Sequence, residues 1–491
     1  MAAPSAAMRR KLQRKFKLRG FSLKVDALEE AAAFLNRFPD AEDDALDLLL
    51  DELDKEPLQS SILDRDAVRR VVALLVEAEE AVDAASPAAT SARSALRVVD
   101  AFLVPRFHYD PIKKVFYEHT GRLAIHGEAR DKASLYRDRY QVLLQSLSRD
   151  KYFSKPAFDM VTNEDGSYNF YTITNRVHWT EMDYGVISQL EERFFVENTV
   201  IVAEGELLSN GIFQVNTCGF PPLEDREASL SLLMGLDFFG GGVLPTEETL
   251  RLSSLEKKAV NDMFVILSDV WLDNPEKTME KLAVVLDGYD SVEVVPSLFV
   301  LMGNFCSRPC NLAFSSFEEL RSQFGKLGEM IAARSRLKEH SRFLFIPGPD
   351  DAGPSKALPR CALPKYLIEE LQKHIPNAIF VSNPCRMRRS CLIPPTTEET
   401  SDPFEHLVAT ITHQSHLCPL PLTIQPIIWN YDHCLRLYPT PHTIVLGDKG
   451  EQKAFKYTGI TCFNPGSFAN DSTFAAYRPC TKEVELSALE G

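Results

Sequence analysis

The sequence predicts a multi-domain α+β protein: a helical N-terminal domain, a small OB-like β-barrel after it, and a C-terminal α/β layered domain. Three observations carry this. Apolar residues recur at helical spacing within an acidic stretch between Ala31 and Leu53. Short alternating runs separated by turn residues fill 168–216. From Asp262 onward, strand-like runs alternate with helical ones. A chain of 491 residues also exceeds what one core usually serves, which fits several domains.

The helical domain is expected over 1–82. Ala31, Phe34 and Leu35, then Leu46, Leu49, Leu50 and Leu53, share a face, and Asp66-Ala67-Val68 opens a further helix ending near Val82. Arg9, Arg10, Lys11, Arg14, Lys15, Lys17, Arg19 and Lys24 precede them, with no acidic residue in 1–25. Such a run is a solvated helix face, a nuclear import signal or a phosphate-contacting arm, and the sequence does not separate the three. Residues 83–96 are a linker, since 84–92 are small, uncharged and contain Pro87.

The barrel domain is expected over 97–222. It opens with an extended 104–109 stretch and a helix from Asp131 to about Ser146, with Leu135, Tyr136, Tyr140, Leu143 and Leu144 on its faces. Short runs at 168–172, 185–187, 194–196, 199–202 and 211–216 then supply a thin set of strands. A connector, 223–260, holds Leu236-Asp237-Phe238-Phe239-Gly240-Gly241-Gly242. No Lys-Ser/Thr follows, so it is a strand end with a turn rather than a phosphate loop. The α/β domain, 261–491, has strands at 264–267, 298–302, 343–346, 378–381, 443–446 and 459–463. Its helices are expected near 275–286, 317–341 and 364–375.

Composition narrows the function. Hydrophobic content of 45% and charged content of 25% are those of a soluble globular protein. A net charge of -15 argues against a surface that coats nucleic acid, because phosphate contact needs a local excess of Lys and Arg. The ten cysteines begin at Cys218 and form no Cys-x-x-Cys pair. Cys306 and Cys310 lack nearby histidines, so no zinc site is expected, and the thiols fit a reducing compartment. No apolar run reaches the ~20 residues of a membrane span, so the chain reads as soluble and intracellular with no membrane partner.

The chemistry-bearing positions lie at three strand ends. Two-metal phosphoester hydrolysis needs hard oxygen and imidazole ligands converging there, ordered as Asp-x-His, Gly-Asp, Gly-Asn-His and later Gly-His and His-x-His. Here Asp269 holds the first position, but Trp271 stands where the histidine belongs. Asn304 replaces the bridging carboxylate, and Gly348-Pro349-Asp350 replaces Gly-Asn-His, with Pro349 removing a side-chain ligand. His416 follows Ser415 where Gly-His would stand, and no His-x-His occurs. Asp269, Asp350 and His416 are too few donors for a dinuclear site, so no catalytic residue, metal or other cofactor is expected. These groups would instead satisfy backbone atoms at strand ends. His413 and His416 have His-x-x-His spacing, but the proline-rich run after Cys418 suggests a packed loop. Asn464-Pro465-Gly466-Ser467 is expected to be a turn, without an acid–base pair beside Ser467.

The chain resembles the B subunits of eukaryotic replicative DNA polymerases, in their epsilon branch. The resemblance rests on Phe16-Lys17-Leu18-Arg19-Gly20, Val104-Pro105-Arg106-Phe107, Arg130-Asp131-Lys132, Arg137-Asp138-Arg139-Tyr140 and Phe238-Phe239-Gly240-Gly241. Leu267-Ser268-Asp269-Val270-Trp271-Leu272-Asp273, Pro347-Gly348-Pro349, Pro419-Leu420-Pro421-Leu422 and Asn464-Pro465-Gly466-Ser467-Phe468 complete it, so it spans nearly the whole chain. It implies an OB fold joined to an inactivated calcineurin-like phosphoesterase sandwich, behind a helical domain similar to the lid domain of AAA+ ATPases. It further implies a nuclear accessory subunit that does no chemistry. Such a subunit clasps the cysteine-rich C-terminal region of the epsilon catalytic subunit, docks on the replicative helicase through its N-terminal domain, and meets DNA indirectly within the complex.

The sequence departs from the family pattern twice. Between Glu192 and Glu204 about two barrel strands are omitted, leaving the barrel shortened. Asn383-Pro384-Cys385 passes straight to Arg386-Met387-Arg388-Arg389, omitting a strand and a helix start. Missing strands leave unpaired edges. Two other functions remain open from the residues: an active metal-dependent phosphodiesterase with an unusual ligand set, and a DNA-binding module acting through the OB domain.

Overall fold

In the computed structural model the chain divides into two compact units, Met1–Ser91 and Ala92–Gly491. The structure describes scattered residues between 12 and 72, and residues 96–150, 170–174, 198–242, 259–388 and 402–489 apart from a few positions within them. The expected linker residues 84–92 and the expected strands at 185–187 and 194–196 lie outside the described residues.

In the first unit, helical Phe16, Leu28, Ala31, Leu46, Leu49, Leu50, Leu53 and Val68 are buried in one apolar cluster. The three- and four-residue spacing of Leu46, Leu49, Leu50 and Leu53 puts them on one helical face, which is why that face is the buried one. Two short strands, β1 (Ser22–Leu23) and β2 (Ile62–Leu63), pair in parallel beside it.

The second unit begins with β3 (Arg97–Asp100), β4 (Phe107–Asp110), β5 (Val115–Glu118) and helix α1 (Ala129–Leu147). α1 starts at a capping box, in which the Asp131 carboxylate accepts the Glu128 amide at 2.8 Å. Among the described residues, strands β6 (Phe170–Thr174), β7 (Ile201–Leu207) and β8 (Phe213–Gly219) form a three-stranded antiparallel sheet with an irregularity at Glu204 and Gly205. The short helix α2 (Arg226–Leu232) follows.

The architecture then centres on one sheet. Its strands are β9 (Phe264–Leu267), β10 (Leu298–Met302), β11 (Arg342–Ile346) and β12 (Ile379–Phe380), joined near the C-terminus by β17 (Thr473–Arg478) and β18 (Glu483–Ala488), in the order β12-β11-β10-β9-β17-β18. The first four are parallel, and β17 runs antiparallel to β9. Strand periodicity of two assigns the faces. Val265, Leu267, Phe299, Leu301, Phe343 and Phe345 point into a core shared with helices α3 (Glu280–Ser291), α4 (Phe314–Ala332) and α6 (Lys365–His374). Their neighbours Phe264, Ile266, Leu298, Val300, Leu344 and Ile346 pack on the other side with Phe463 and Tyr477. Phe463 belongs to a second, three-stranded sheet, β14 (Thr443–Val445), β15 (Lys453–Tyr457) and β16 (Ile460–Asn464), ordered β14-β16-β15. Burial on both faces is why β9 is an unbroken apolar run rather than an alternating one.

Two helix expectations shift. The single helix expected over 317–341 is two, α4 and α5 (Ser335–His340), because Arg334 is extended and its guanidinium donates to Met330 O, Ala283 O and Asp287. The helix expected near 275–286 runs further, to Ser291, as α3 and buries Leu282, Val285 and Leu286; residues 275–277 lie outside the described residues. Around the Gly-rich segment, the Asp237 carboxylate accepts the amides of Gly240 and Gly242 at 3.0 and 2.6 Å, so its own side chain fills the turn.

At the second departure from the family pattern, the residues after Pro384 form β13 (Cys385–Arg388), which leaves the central sheet and pairs antiparallel with β3. Asp100 ties this joint, accepting the Ser382 amide at 2.8 Å, while the Ser382 hydroxyl accepts the Ala101 amide at 2.7 Å. Helices α7 (Pro403–His413) and α8 (Phe468–Asp471) complete the unit.

Phe463 is fully buried where the two sheets meet. Phe463→Ala should cost ~3–5 kcal/mol, seen as a lower urea midpoint for the full chain.

Candidate functional site

Strands β9, β10 and β11 are adjacent and parallel, so the loops after them leave the same edge of the sheet, where open α/β sheets hold their sites. Asp269 sits there at a φ of 54°, a left-handed conformation that Asp tolerates better than most residues. It is 3% exposed, and its Oδ1 accepts the Asn304 amide at 3.2 Å and Asn304 Nδ2 at 3.4 Å. Asn304 Oδ1 in turn accepts the Asp350 amide at 2.9 Å. Asn304 thus uses both halves of its side-chain amide to tie three loops together.

The inward carboxylate of the third loop is Asp351, which the sequence pattern does not single out. Its oxygens accept the amides of Phe305 and Gly348, each at 2.7 Å. Asp350, expected there instead, turns outward and pairs with Lys356 Nζ at 2.7 Å. The Asp350-Asp351 doublet is the available signal, and matching it to Gly-Asn-His selects the wrong member. The loops approach so closely that a Cβ on Gly303 would lie 1.9 Å from Asp351 Oδ2, and one on Gly348 would lie 2.6 Å from Asn304 N.

Burial pushes the Asp351 carboxyl up to about 6, with the Asp269 charge adding to it against the pull of the Gly348 and Phe305 amides and Arg360. A third carboxylate at position 304 would meet two others at close quarters, whereas the neutral amide supplies a donor. Pro349 is exposed, and its contribution is a carbonyl that accepts from Arg360 Nη1. Trp271 is half-buried, and among the described residues its indole N–H has no hydrogen-bond partner.

The segment 464–468 seats on the first strand end. The amides of Phe468 and Ala469, at the start of α8, donate to Ser268 O and Asp269 O at 2.8 and 3.2 Å. Ser467 is fully buried and accepts from Asn470 Nδ2 at 2.9 Å.

His416 belongs to another cluster. Its Nδ1 accepts the Cys418 amide at 3.0 Å, so Nε2 carries the proton and donates to Asp432 Oδ1 at 3.2 Å. Both nitrogens are engaged. His413 contacts Pro221 O and the Tyr457 hydroxyl instead, so the His-x-x-His spacing produces no shared ligand position. Among the described residues, no three His, Cys, Asp or Glu side chains converge as a metal set.

The His416 cluster is part of a buried ionic network. Arg139 grips Asp432 through Nε and Nη2 at 3.1 and 2.6 Å. Its chain neighbour Asp138 receives Arg106 at 3.0 Å, His108 at 3.2 Å and Arg436 at 3.4 Å. Arg106 also donates to Asn430 Oδ1 at 3.0 Å. Arg386 has carbonyl partners at Phe238, His433, Cys434 and Arg436. Burial raises both carboxyls, but His108, Arg436 and Arg106 outweigh it at Asp138, and Arg139 and His416 outweigh it at Asp432, so both stay ionised below their ordinary range. Burial, with Arg139 beside it, holds His416 neutral down to about 4; burial with Arg436 holds His433 to about 3, and burial with Arg226 holds His442 to about 3.

Asp138→Ala should destabilise the full chain by ~3–5 kcal/mol, because it strands two buried guanidiniums; Asp138→Asn, which keeps acceptor oxygen, should cost less, and urea unfolding measures both. The three neutral histidines contribute stability that is full above their ordinary value of 6.5 and is lost as the pH falls through that value, toward about 4 for His416 and about 3 for His433 and His442. Each loses ~1.4 kcal/mol per pH unit below it. Asp351, raised to about 6, works in the opposite direction and offsets only one of them. Urea midpoints should therefore drop between neutral pH and pH ~5, and His416→Gln should flatten that slope.

Comparison with known proteins bears on the whole chain. The family model for the B subunit of DNA polymerase alpha/epsilon matches residues 264–390 and 386–456, and the one described as DNA polymerases epsilon N terminal matches residues 4–74. The two pieces of the first match meet at 386–390, beside the junction where β13 leaves the sheet. The DNA polymerase epsilon B subunit of Arabidopsis thaliana is 57% identical over 525 positions, covering 98% of this chain and 99% of that protein. DNA polymerase epsilon subunit 2 is 32% identical in Bos taurus and 31% identical in Homo sapiens, each over 530 positions and covering 97% of both chains. These alignments are longer than the 491 residues present here, so the relatives carry internal residues that this chain lacks. A solved archaeal phosphodiesterase aligns over 46% of this chain and 99% of its own at 11% identity and a TM-score of 0.23, which carries no argument about fold or activity. With matches at both ends and substantial identity along its length, the chain belongs to the family of DNA polymerase epsilon B subunits.

Proposed function

We propose that this chain is a non-catalytic accessory subunit of the DNA polymerase epsilon complex, acting in the nucleus during chromosomal replication. Its second unit would be an OB fold joined to a calcineurin-like phosphoesterase sandwich that clasps the C-terminal region of the catalytic subunit. Its helical first unit would dock on the replicative helicase, and DNA would be met through the complex.

The observation that carries the non-catalytic reading is the use made of the strand-end donors. Two divalent ions need several free oxygen and imidazole groups. Here Asp269 and Asp351 are spent on the amides of Asn304, Phe305 and Gly348, and Asn304 is neutral. Asp350 faces Lys356, and His416 is committed to Asp432 and Cys418. The residues present do not fit a dinuclear centre, and no hydrolytic step is assigned to them. They act instead as a clasp that fixes three loops.

Purified full chain should show no hydrolysis of bis(p-nitrophenyl) phosphate above the manganese-only background. Turnover abolished by Asp269→Ala or Asp351→Ala would make it a phosphodiesterase. Asp351→Asn, which offers one acceptor where two amides now donate, should cost ~1–3 kcal/mol in urea unfolding. Salt-dependent binding of single-stranded DNA by the isolated chain would favour a direct DNA-binding role.

A further inference from the structure

Two polar atoms of the buried ionic network are left over once its protein contacts are made. His433 donates from Nε2 to Val104 O at 2.8 Å, which leaves Nδ1. Arg436 turns Nη1 to Phe107 O at 3.3 Å and Nη2 to Asp138 at 3.4 Å, which leaves Nε. Among the described residues neither Nδ1 nor Nε has a hydrogen-bond partner, and their residues are 4% and 9% exposed. Buried polar groups are almost always hydrogen-bonded, because one left unmade keeps its full desolvation penalty. His433 and Arg436 are joined through the backbone, with the Arg436 amide donating to His433 O, and both line a single cavity. Phe107 and Phe238, whose rings stack at 4.2 Å, are among its walls, with Val142 and Tyr438. Its volume, counted as room for the centre of a water molecule, is about 10 Å³. That is about the least that holds one water.

The chemistry of the two atoms selects the occupant. Burial, with the Arg436 charge beside it, keeps the His433 ring neutral down to about 3, so with its proton on Nε2 the ring offers a lone pair at Nδ1. Arg436 Nε is a donor only. Whatever joins them must give a hydrogen bond to one and take one from the other. A small anion suits the charges of Arg106, Arg386 and Arg436 around His433 but has no proton for Nδ1. A metal cation would take the Nδ1 lone pair, but it accepts nothing from Nε and is repelled by those same charges. We infer that a single water molecule is built into this cavity, accepting from Arg436 Nε and donating to His433 Nδ1. It closes a hydrogen-bonded path from Val104 O through His433, water and Arg436 to Asp138. Water that bridges buried polar groups is a fixed part of a structure and is costly to remove. The strand-end clasp and the proposed function do not depend on it.

The test is a crystal structure of the full chain at a resolution that shows ordered water, with a second crystal soaked in bromide. Density for one water should lie about 2.7–3.2 Å from both His433 Nδ1 and Arg436 Nε, and the bromide crystal should show no anomalous peak there. In His433→Phe, which keeps a ring and removes the acceptor, that density should be lost while the Phe107–Phe238 stack stays in place. A cavity without density in the unaltered chain overturns the inference, as does a direct bond from either atom to another protein group. A bromide peak at the site would make it an anion site instead. Density that persists at full strength in His433→Phe would show that Nδ1 does not hold the water, and it too overturns the bridge.

Discussion

The second unit depends on a constraint that is ionic and buried: two carboxylates, Asp138 and Asp432, must each be matched by guanidinium groups brought from distant parts of the chain. A buried charge without a partner costs several kcal/mol, so the elements bearing these groups are held in one arrangement or not at all. α1 supplies Asp138 and Arg139, the residue just before β4 is Arg106, and the 429–436 segment supplies Asp432 and Arg436. Apolar packing would tolerate small slips between these elements. Paired charges with fixed hydrogen-bond directions do not. The network therefore sets how residues 97–150 sit on the α/β sandwich, and the aromatic contacts around Phe238 follow from it.

The strand-end cluster solves a different problem with similar means. Three loops that converge at a sheet edge present backbone amides that need acceptors, and the acceptors are Asp269, Asn304 and Asp351. An amide at position 304 both gives and receives, which a carboxylate cannot do when ionised. The cluster is rigid because its polar groups satisfy one another, and glycine at 303 and 348 permits the close approach.

Much of this is legible in the residues alone. The parallel strands are near-continuous apolar runs, so β9, β10 and β11 and the loops after them can be placed from sequence. Asp269 and Asn304 then follow from strand-end position. Asp350 and Asp351 are not separable, since which of two adjacent carboxylates turns inward is decided by amides at Gly348 and Phe305, one of them on another loop. The Arg334 break is equally hidden, because its cause includes a carboxylate and a carbonyl 47 and 51 residues away on another helix. Motif spacing draws attention to His416, yet its partner Asp432 carries no motif at all. The family-matching runs 104–107 and 137–140 serve as identifiers in the sequence, and the structure gives them a physical role as the arms of the ionic network.

The position of β9 has a consequence for how the protein is made. β9 lies in the interior of the sheet, flanked by β10 on one side and by β17 on the other. β17 leaves the ribosome long after β9. Until it emerges, the edge of β9 stays open on a nascent chain, and the contacts that close it join segments more than two hundred residues apart, a feature that slows folding and exposes intermediates to misassociation. Among the described residues, the apolar cluster of the N-terminal unit draws only on residues 12–72. Synthesis should thus yield an early-folded first unit tethered to a second unit that waits for β17.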